Sequence, residues 1–88
     1  MLRIEKDSDG SAIRLRLIGR IQSDDIACVQ SEMSDGRARK ILDLSEVTLV
    51  DLGVVRFLIS CEDNDIELTQ CPLYVREWMF RALRVSAT

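Results

Sequence analysis

The chain has 88 residues, 47% of them hydrophobic and 31% charged, which is enough for one domain around one core. Its formal net charge of −3 lacks the basic footprint that non-specific nucleic-acid binding requires. It contains no histidine, so the commonest metal ligand and the commonest general base are both missing.

Length sets a further constraint. A chain this short buries only ~60–65% of its unfolded surface, so its packing must be used well. The opening segment "MLRIEKDSDG" interleaves charges with its few apolar residues and does not read as a signal peptide. No apolar run approaches the ~20 residues of a membrane helix. The expected compartment is the cytoplasm, with no direct membrane insertion. Cys28, Cys61 and Cys71 are odd in number and form no C-x-x-C pair, so reduced thiols are expected.

The predicted elements run as follows. "LRIEK" alternates, with Leu2 and Ile4 on one side and Arg3 and Glu5 on the other. "AIRLRLIG" alternates as well, setting Ile13, Leu15 and Leu17 against Arg14, Arg16 and Ile18. Between them, "DSDGS" supplies Asp9 and Gly10 for a turn, so the two strands form a hairpin. A helix follows, with Ser23 as N-cap and Asp24 and Asp25 in the first turn, where the helix dipole favours negative charge. Ile26, Val29 and Met33 recur at helical spacing, and Gly36 is the expected stop.

"KILDLSEV" reads as the third strand, with Leu42 and Leu44 inward and Asp43 and Ser45 outward. "DLGVVRFLISCEDND" reads as a second helix capped by Asp51, with Val54, Val55, Leu58 and Ile59 as its buried stripe. "IELTQ" is a fourth strand, Ile66 and Leu68 inward. Pro72 opens a third helix, because its missing N–H has no partner to lose there. Val75, Trp78, Met79, Ala82 and Leu83 form that helix's apolar face, and "VSAT" frays. Residues 1–88 thus form a single domain of order β-β-α-β-α-β-α, with no repeat and no linker.

Alternation decides the layering. A parallel sheet covered on both faces has continuously apolar strands. Here the strands alternate, so helices should cover one face only. Right-handed crossovers put them on the same side and favour the strand order 1-2-3-4. The fold class is therefore α/β, a four-stranded mixed sheet with its first strand antiparallel. Ile13, Leu15, Leu17, Leu42, Leu44, Val55, Leu58, Leu68, Trp78 and Met79 should be buried. Arg14 and Arg16 should lie near Asp43 on the open face, with Glu67 and Thr69 beyond.

In open α/β sheets, ligands and partners favour the carboxyl ends of the strands. Residues 19–23, 48–53 and 71–74 are expected to meet at that edge. Arg20, Gln22, Asp51, Leu52, Gly53 and Tyr74 are the candidate partner-binding residues. Leu52 is the informative one: beside a helix cap, an apolar side chain has no strong reason to be there unless something covers it. Cys61 should lie at the far end of the second helix and Cys71 near its start, too far apart for a disulfide. "DSDG" and "EDND" lack the spacing of a calcium loop. No paired carboxylates, nucleophile with a base, or glycine-rich phosphate loop is visible, so no catalysis, cofactor or metal is expected.

"ILDLSEVTLVDLGVVRFL" resembles the signature of STAS domains, the module of bacterial anti-sigma-factor antagonists and of the cytoplasmic ends of sulfate transporters. "IELTQCPLYVREWMFRAL" is similar to the next strand and helix, and the likeness covers roughly residues 12–84. The family pattern is an apolar strand ending in Asp-Leu-Ser/Gly, then Asp-Ser-Ser-Gly opening a helix. Asp51 matches, but the following position, where the family receives a phosphate on Ser or Thr, is Leu52. The resemblance implies a short, non-switching member: a non-catalytic protein-interaction module, its partner a kinase-like anti-sigma factor. The alternative it implies is a small cytoplasmic subunit of a membrane lipid-transport complex. A homodimer is compatible with either.

Overall fold

The computed structural model describes residues 2–33 and 38–86, the side chains of 84–86 excepted. The first strand, β1 (Leu2–Ser8), pairs antiparallel with β2 (Ala12–Ile21), with Ile4 opposite Leu17 and Glu5 opposite Arg16. Asp9 makes the turn between them. Its Oδ1 accepts from the amides of Ser11 (3.1 Å) and Ala12 (2.9 Å), and Gly10 takes a φ of 89°. That is the left-handed region where a residue without Cβ is unstrained.

After β2 the chain makes a 3-10 turn, Ser23–Asp25, and continues as α1 (Ile26–Glu32). Ser23 is therefore not the N-cap. Gln22 holds that position for the 3-10 turn, its amide donating to Asp25 Oδ2 at 2.9 Å, and Asp25 holds it for α1. The expected stop at Gly36 lies outside the described residues. Next come β3 (Arg39–Val50), α2 (Leu52–Asp63), β4 (Glu67–Thr69) and α3 (Leu73–Ser86). β3 lies parallel between β2 and β4, giving a sheet of order β1-β2-β3-β4.

β3 is longer than the alternation suggested, and the reason is local. Between Arg16 and Ile18 on β2, β3 advances from Asp43 to Glu46; between Gly19 and Arg20 it advances from Val47 to Leu49. Each step gives β3 one residue more than β2, a β-bulge that shifts the parity of every later side chain. The inward residues are thus Leu42, Leu44, Val47 and Val50, spaced by two, three and three. Gly19, at the second shift, has a φ of 96° that a side chain would strain.

The core is one cluster. Ile13, Leu15, Leu17, Leu42 and Leu44 from the sheet meet Val29 of α1, Val54, Val55, Leu58 and Cys61 of α2, and Val75 and Met79 of α3. All three helices thus bury their apolar residues against the same side of the sheet, and Arg14 and Arg16 on the other side are exposed. Leu68 and Trp78 are only partly buried, since β4 is a three-residue edge strand. Leu83, assigned to the apolar face of α3, is 48% exposed; Val75, Trp78, Met79 and Ala82 fill the inward side without it.

Both long helices end and begin as local chemistry dictates. Asp51 caps α2, its Oδ1 accepting from Val54 N at 2.9 Å. At the other end, Asp65 adopts a φ of 63°, Asp65 N donates to Glu62 O, and Ile66 N donates to Cys61 O at 2.9 Å. That pair of bonds is a Schellman motif with Asp where Gly is usual. Pro72 sits just before α3, its carbonyl accepting from Val75 N and Arg76 N at 3.1 Å.

On the open face, Arg16 Nε lies 3.9 Å from Asp43 Oδ2, and Arg16 also reaches Glu5 at 3.5 Å. Asp43 is nearly buried, which pushes its pKa up; the amide and hydroxyl of Ser45 and the nearby Arg16 more than offset this and hold it low. Glu67 pairs with Arg39, and Thr69 donates to Leu42 O at 3.3 Å.

Candidate functional site

The strand ends place five of the six candidate residues together. Ile21 and Val50 are the last paired residues of β2 and β3, so Gln22 and Asp51 leave the sheet side by side. Arg20 pairs in register with Leu49 on the open face just before them. Leu52 and Gly53 begin α2 beside Asp51.

Asp51 is the centre of this patch. Besides Val54 N, its carboxylate accepts from Ser23 N at 2.8 Å and from Ser23 Oγ at 3.0 Å. One side chain thus ties the turn after β2 to the turn after β3. The hydrogen bonds from Val54 N and then Ser23 N hold the Asp51 pKa below the ordinary carboxylate value. The Ser23–Asp51 pair is thus a hydrogen-bonded clasp across the two strand ends.

The clasp explains the glycine. A Cβ on Gly53 would stand 2.1 Å from Ser23 Oγ and 3.4 Å from Asp51 Oδ1. Only a residue without a side chain lets the hydroxyl reach the carboxylate. Sequence reasoning found Asp51 and Gly53 but missed Ser23, which it assigned to capping α1. The signal was faint: a serine at the end of one strand and an aspartate at the end of the next, 28 residues apart.

Leu52 is 44% exposed and Leu49 is 52% exposed. The patch therefore presents two leucines beside Arg20, Gln22 and the clasp. Leu49 was also missed, because the second bulge turns it outward.

Tyr74 does not join them. β4 pairs only with Ile41, Leu42 and Asp43, at the beginning of β3. The chain therefore leaves β4 seven residues short of Val50, about 23 Å along the strand. Arg76 Nη1 pairs with Glu62 Oε2 at 2.9 Å, which sets the first turns of α3 beside the last turn of α2. Leu52 is ten residues from Glu62, about 15 Å along the helix.

Cys71 moves with Tyr74. It lies near Arg76 and Glu62, at the end of α2 and not at its start. Burial raises its thiol pKa, and burial pushes the Cys61 thiol up to about 11. Cys28, Cys61 and Cys71 are all free. Burial, and then the neighbouring Cys71, raise the Tyr74 pKa.

Among the described residues, no group of three or more acidic or cysteine side chains could hold a metal ion, and no helix is long and apolar enough to cross a membrane. The chain matches no protein-family model and no curated protein.

Proposed function

We propose that this domain is a non-catalytic, STAS-like protein-interaction module of the cytoplasm that docks through the carboxyl end of β3 and the start of α2. The observation that carries the reading is Leu52: an apolar side chain, 44% exposed, at the first position of a helix. Leu49, 52% exposed near the end of β3, adds a second apolar side chain at this edge, and Arg20 pairs in register with it. The clasp supports docking by presenting this surface on fixed elements, so little ordering entropy is lost on binding. The partner that the sequence resemblance favours is a kinase-like anti-sigma factor. With Leu52 at the switch position, the interaction runs without the family's phosphorylation cycle.

The test is Leu52→Asp, with melts and binding measured side by side. A buried interfacial Leu contributes ~1.5–3 kcal/mol through removal of its surface from water. An acidic residue is tolerated at a helix N-terminus, so the variant should keep its melting temperature and lose the complex with a purified kinase-like anti-sigma factor. A stable variant that binds with unchanged affinity overturns the reading. Capture of transport-complex subunits by the wild type, abolished by the same substitution, would assign the surface to a membrane machine instead.

A further inference from the structure

The outward side of α3 is apolar and separate from the strand-end patch. Leu73 is 73% exposed, Phe80 62% and Leu83 48%. Together with Arg76 they follow the spacing three, four, three, which is the seam of a helix that packs on another helix. The inward side of α3 is already committed through Val75 and Met79. Arg76 is turned to Glu62, which leaves its methylene stem along the seam.

The charges beside the seam select the occupant. Glu77 and Arg81 are exposed, one turn apart, on the same flank of Phe80. Neither makes an ion pair among the described residues. The geometry points to a second copy of this chain, packed through α3 about a two-fold axis with the helices antiparallel. In such a pair, residues on one flank meet residues on the same flank of the partner, with their order reversed. An axis level with residue 79 sets Glu77 against Arg81 of the other copy, and Arg81 against Glu77, so one symmetry operation makes both pairs. The same register puts the two Phe80 rings on either side of the axis, about 3 Å apart along it. Leu83 then falls between Leu73 and the Arg76 stem of the other copy. The interface is isologous, as two-fold dimers require.

Other occupants fit the surface less well. An anionic membrane would meet Glu77 on the flank of the seam and a chain of net charge −3. The α3 interface is also distinct from the proposed docking surface, so a dimer leaves Leu52 free.

A helix of 14 residues is about 21 Å long. A seam of that length is smaller than the ~800 Å² per partner of a standard interface, so the dimer should be concentration-dependent. Sedimentation equilibrium of the full chain should show the mass rising from 10.0 kDa toward twice that value as concentration increases. Glu77→Arg alone and Arg81→Glu alone should each leave a monomer, because each places like charges across the axis. The double variant Glu77→Arg with Arg81→Glu restores both pairs and should dimerise as the wild type does. Circular dichroism on all four confirms the fold, and the double variant controls for damage to the helix. A wild type that stays monomeric at every concentration overturns the inference. Single variants that dimerise normally, or a double variant that does not recover, overturn it too. Binding of the monomer to phosphatidylglycerol vesicles, lost in Arg81→Glu, would assign the face to lipid instead.

Discussion

Gly53→Ala should have different effects in two backgrounds that differ by one oxygen atom. In the wild type, the new Cβ would stand 2.1 Å from Ser23 Oγ, which must swing away from Asp51. The Ser23 Oγ–Asp51 hydrogen bond is lost at a cost of about 1 kcal/mol. Against this, Ala in place of Gly in a helix stabilises by about 0.5–1 kcal/mol. The net change in the wild-type background is therefore close to zero or slightly unfavourable. Now remove the hydroxyl first. In Ser23→Ala the obstructing oxygen is gone, and the nearest remaining atom is the position-23 Cβ at 3.2 Å, a contact that a small shift relieves. Adding Gly53→Ala there should stabilise by most of the helix-propensity gain. The two substitutions should thus be non-additive by about 1 kcal/mol, in the favourable direction for the pair. Urea denaturation of the four proteins measures this directly, with the midpoint interpreted only if the slopes agree. Effects that add within ~0.3 kcal/mol would refute the claim that Gly53 is required by the Ser23–Asp51 clasp.

Leu44→Ala, at a fully buried sheet position, should cost about 2–5 kcal/mol in the same assay; an unchanged midpoint would remove Leu44 from the core. Asp65→Gly should stabilise by about 1 kcal/mol, because φ of 63° then carries no Cβ penalty; a fall in melting temperature would mean that the Asp65 side chain has a role of its own. Asp9, Asp43 and Asp51 all have pKa values held below those of the unfolded chain. The stability they contribute is present above the unfolded value, about 4, and is lost as pH falls through the folded values. Urea midpoints should therefore drop between pH 5 and pH 3 by ordinary acid-denaturation reasoning, and less steeply in Asp51→Asn; an equal slope in that variant would exclude Asp51 from the titration. Incubation with ATP and a cognate kinase should leave the intact mass unchanged at position 52, which has no oxygen to phosphorylate; a stoichiometric phosphate on Ser45 or Thr48 would show that a switch exists elsewhere.

What could be read from the sequence was what local chemistry decides. Ile13, Leu15 and Leu17 alternate with arginines, and that pattern alone set the covered and open faces. Asp51 was legible as a cap because its partner, the Val54 amide, is three residues away. The Ser23–Asp51 clasp was not legible, because its two ends are 28 residues apart and meet only through the pairing of β2 with β3. The end of β3 was hidden for a related reason. Two bulges break the period-two pattern at Ser45 and Thr48, so the predicted strand stops at Val47 although Thr48, Leu49 and Val50 stay in the sheet. Leu68 and Trp78 are only partly buried against the core and Leu83, placed on the apolar face of α3, is exposed, because periodicity marks a face without fixing how far the neighbouring layer extends over it.

Tyr74 shows the same limit at the level of the site. The order of elements correctly says that the segment after β4 leaves a carboxyl strand end. It does not say where along β3 that end lies. Three residues of β4 pair with the first part of β3, so its carboxyl end stops well short of the Asp51 clasp. A single edge would have gathered every exposed apolar residue into one surface. The short fourth strand instead divides them. Leu49 and Leu52 stand at one end of α2, and the seam of α3 begins at the other, tied there by Arg76 and Glu62. Two surfaces so separated can be occupied at once. A chain that docks a partner at its strand ends and pairs with itself through α3 would present that partner with two equivalent sites related by a two-fold axis. Avidity then multiplies the affinity of each edge only for a partner that spans both.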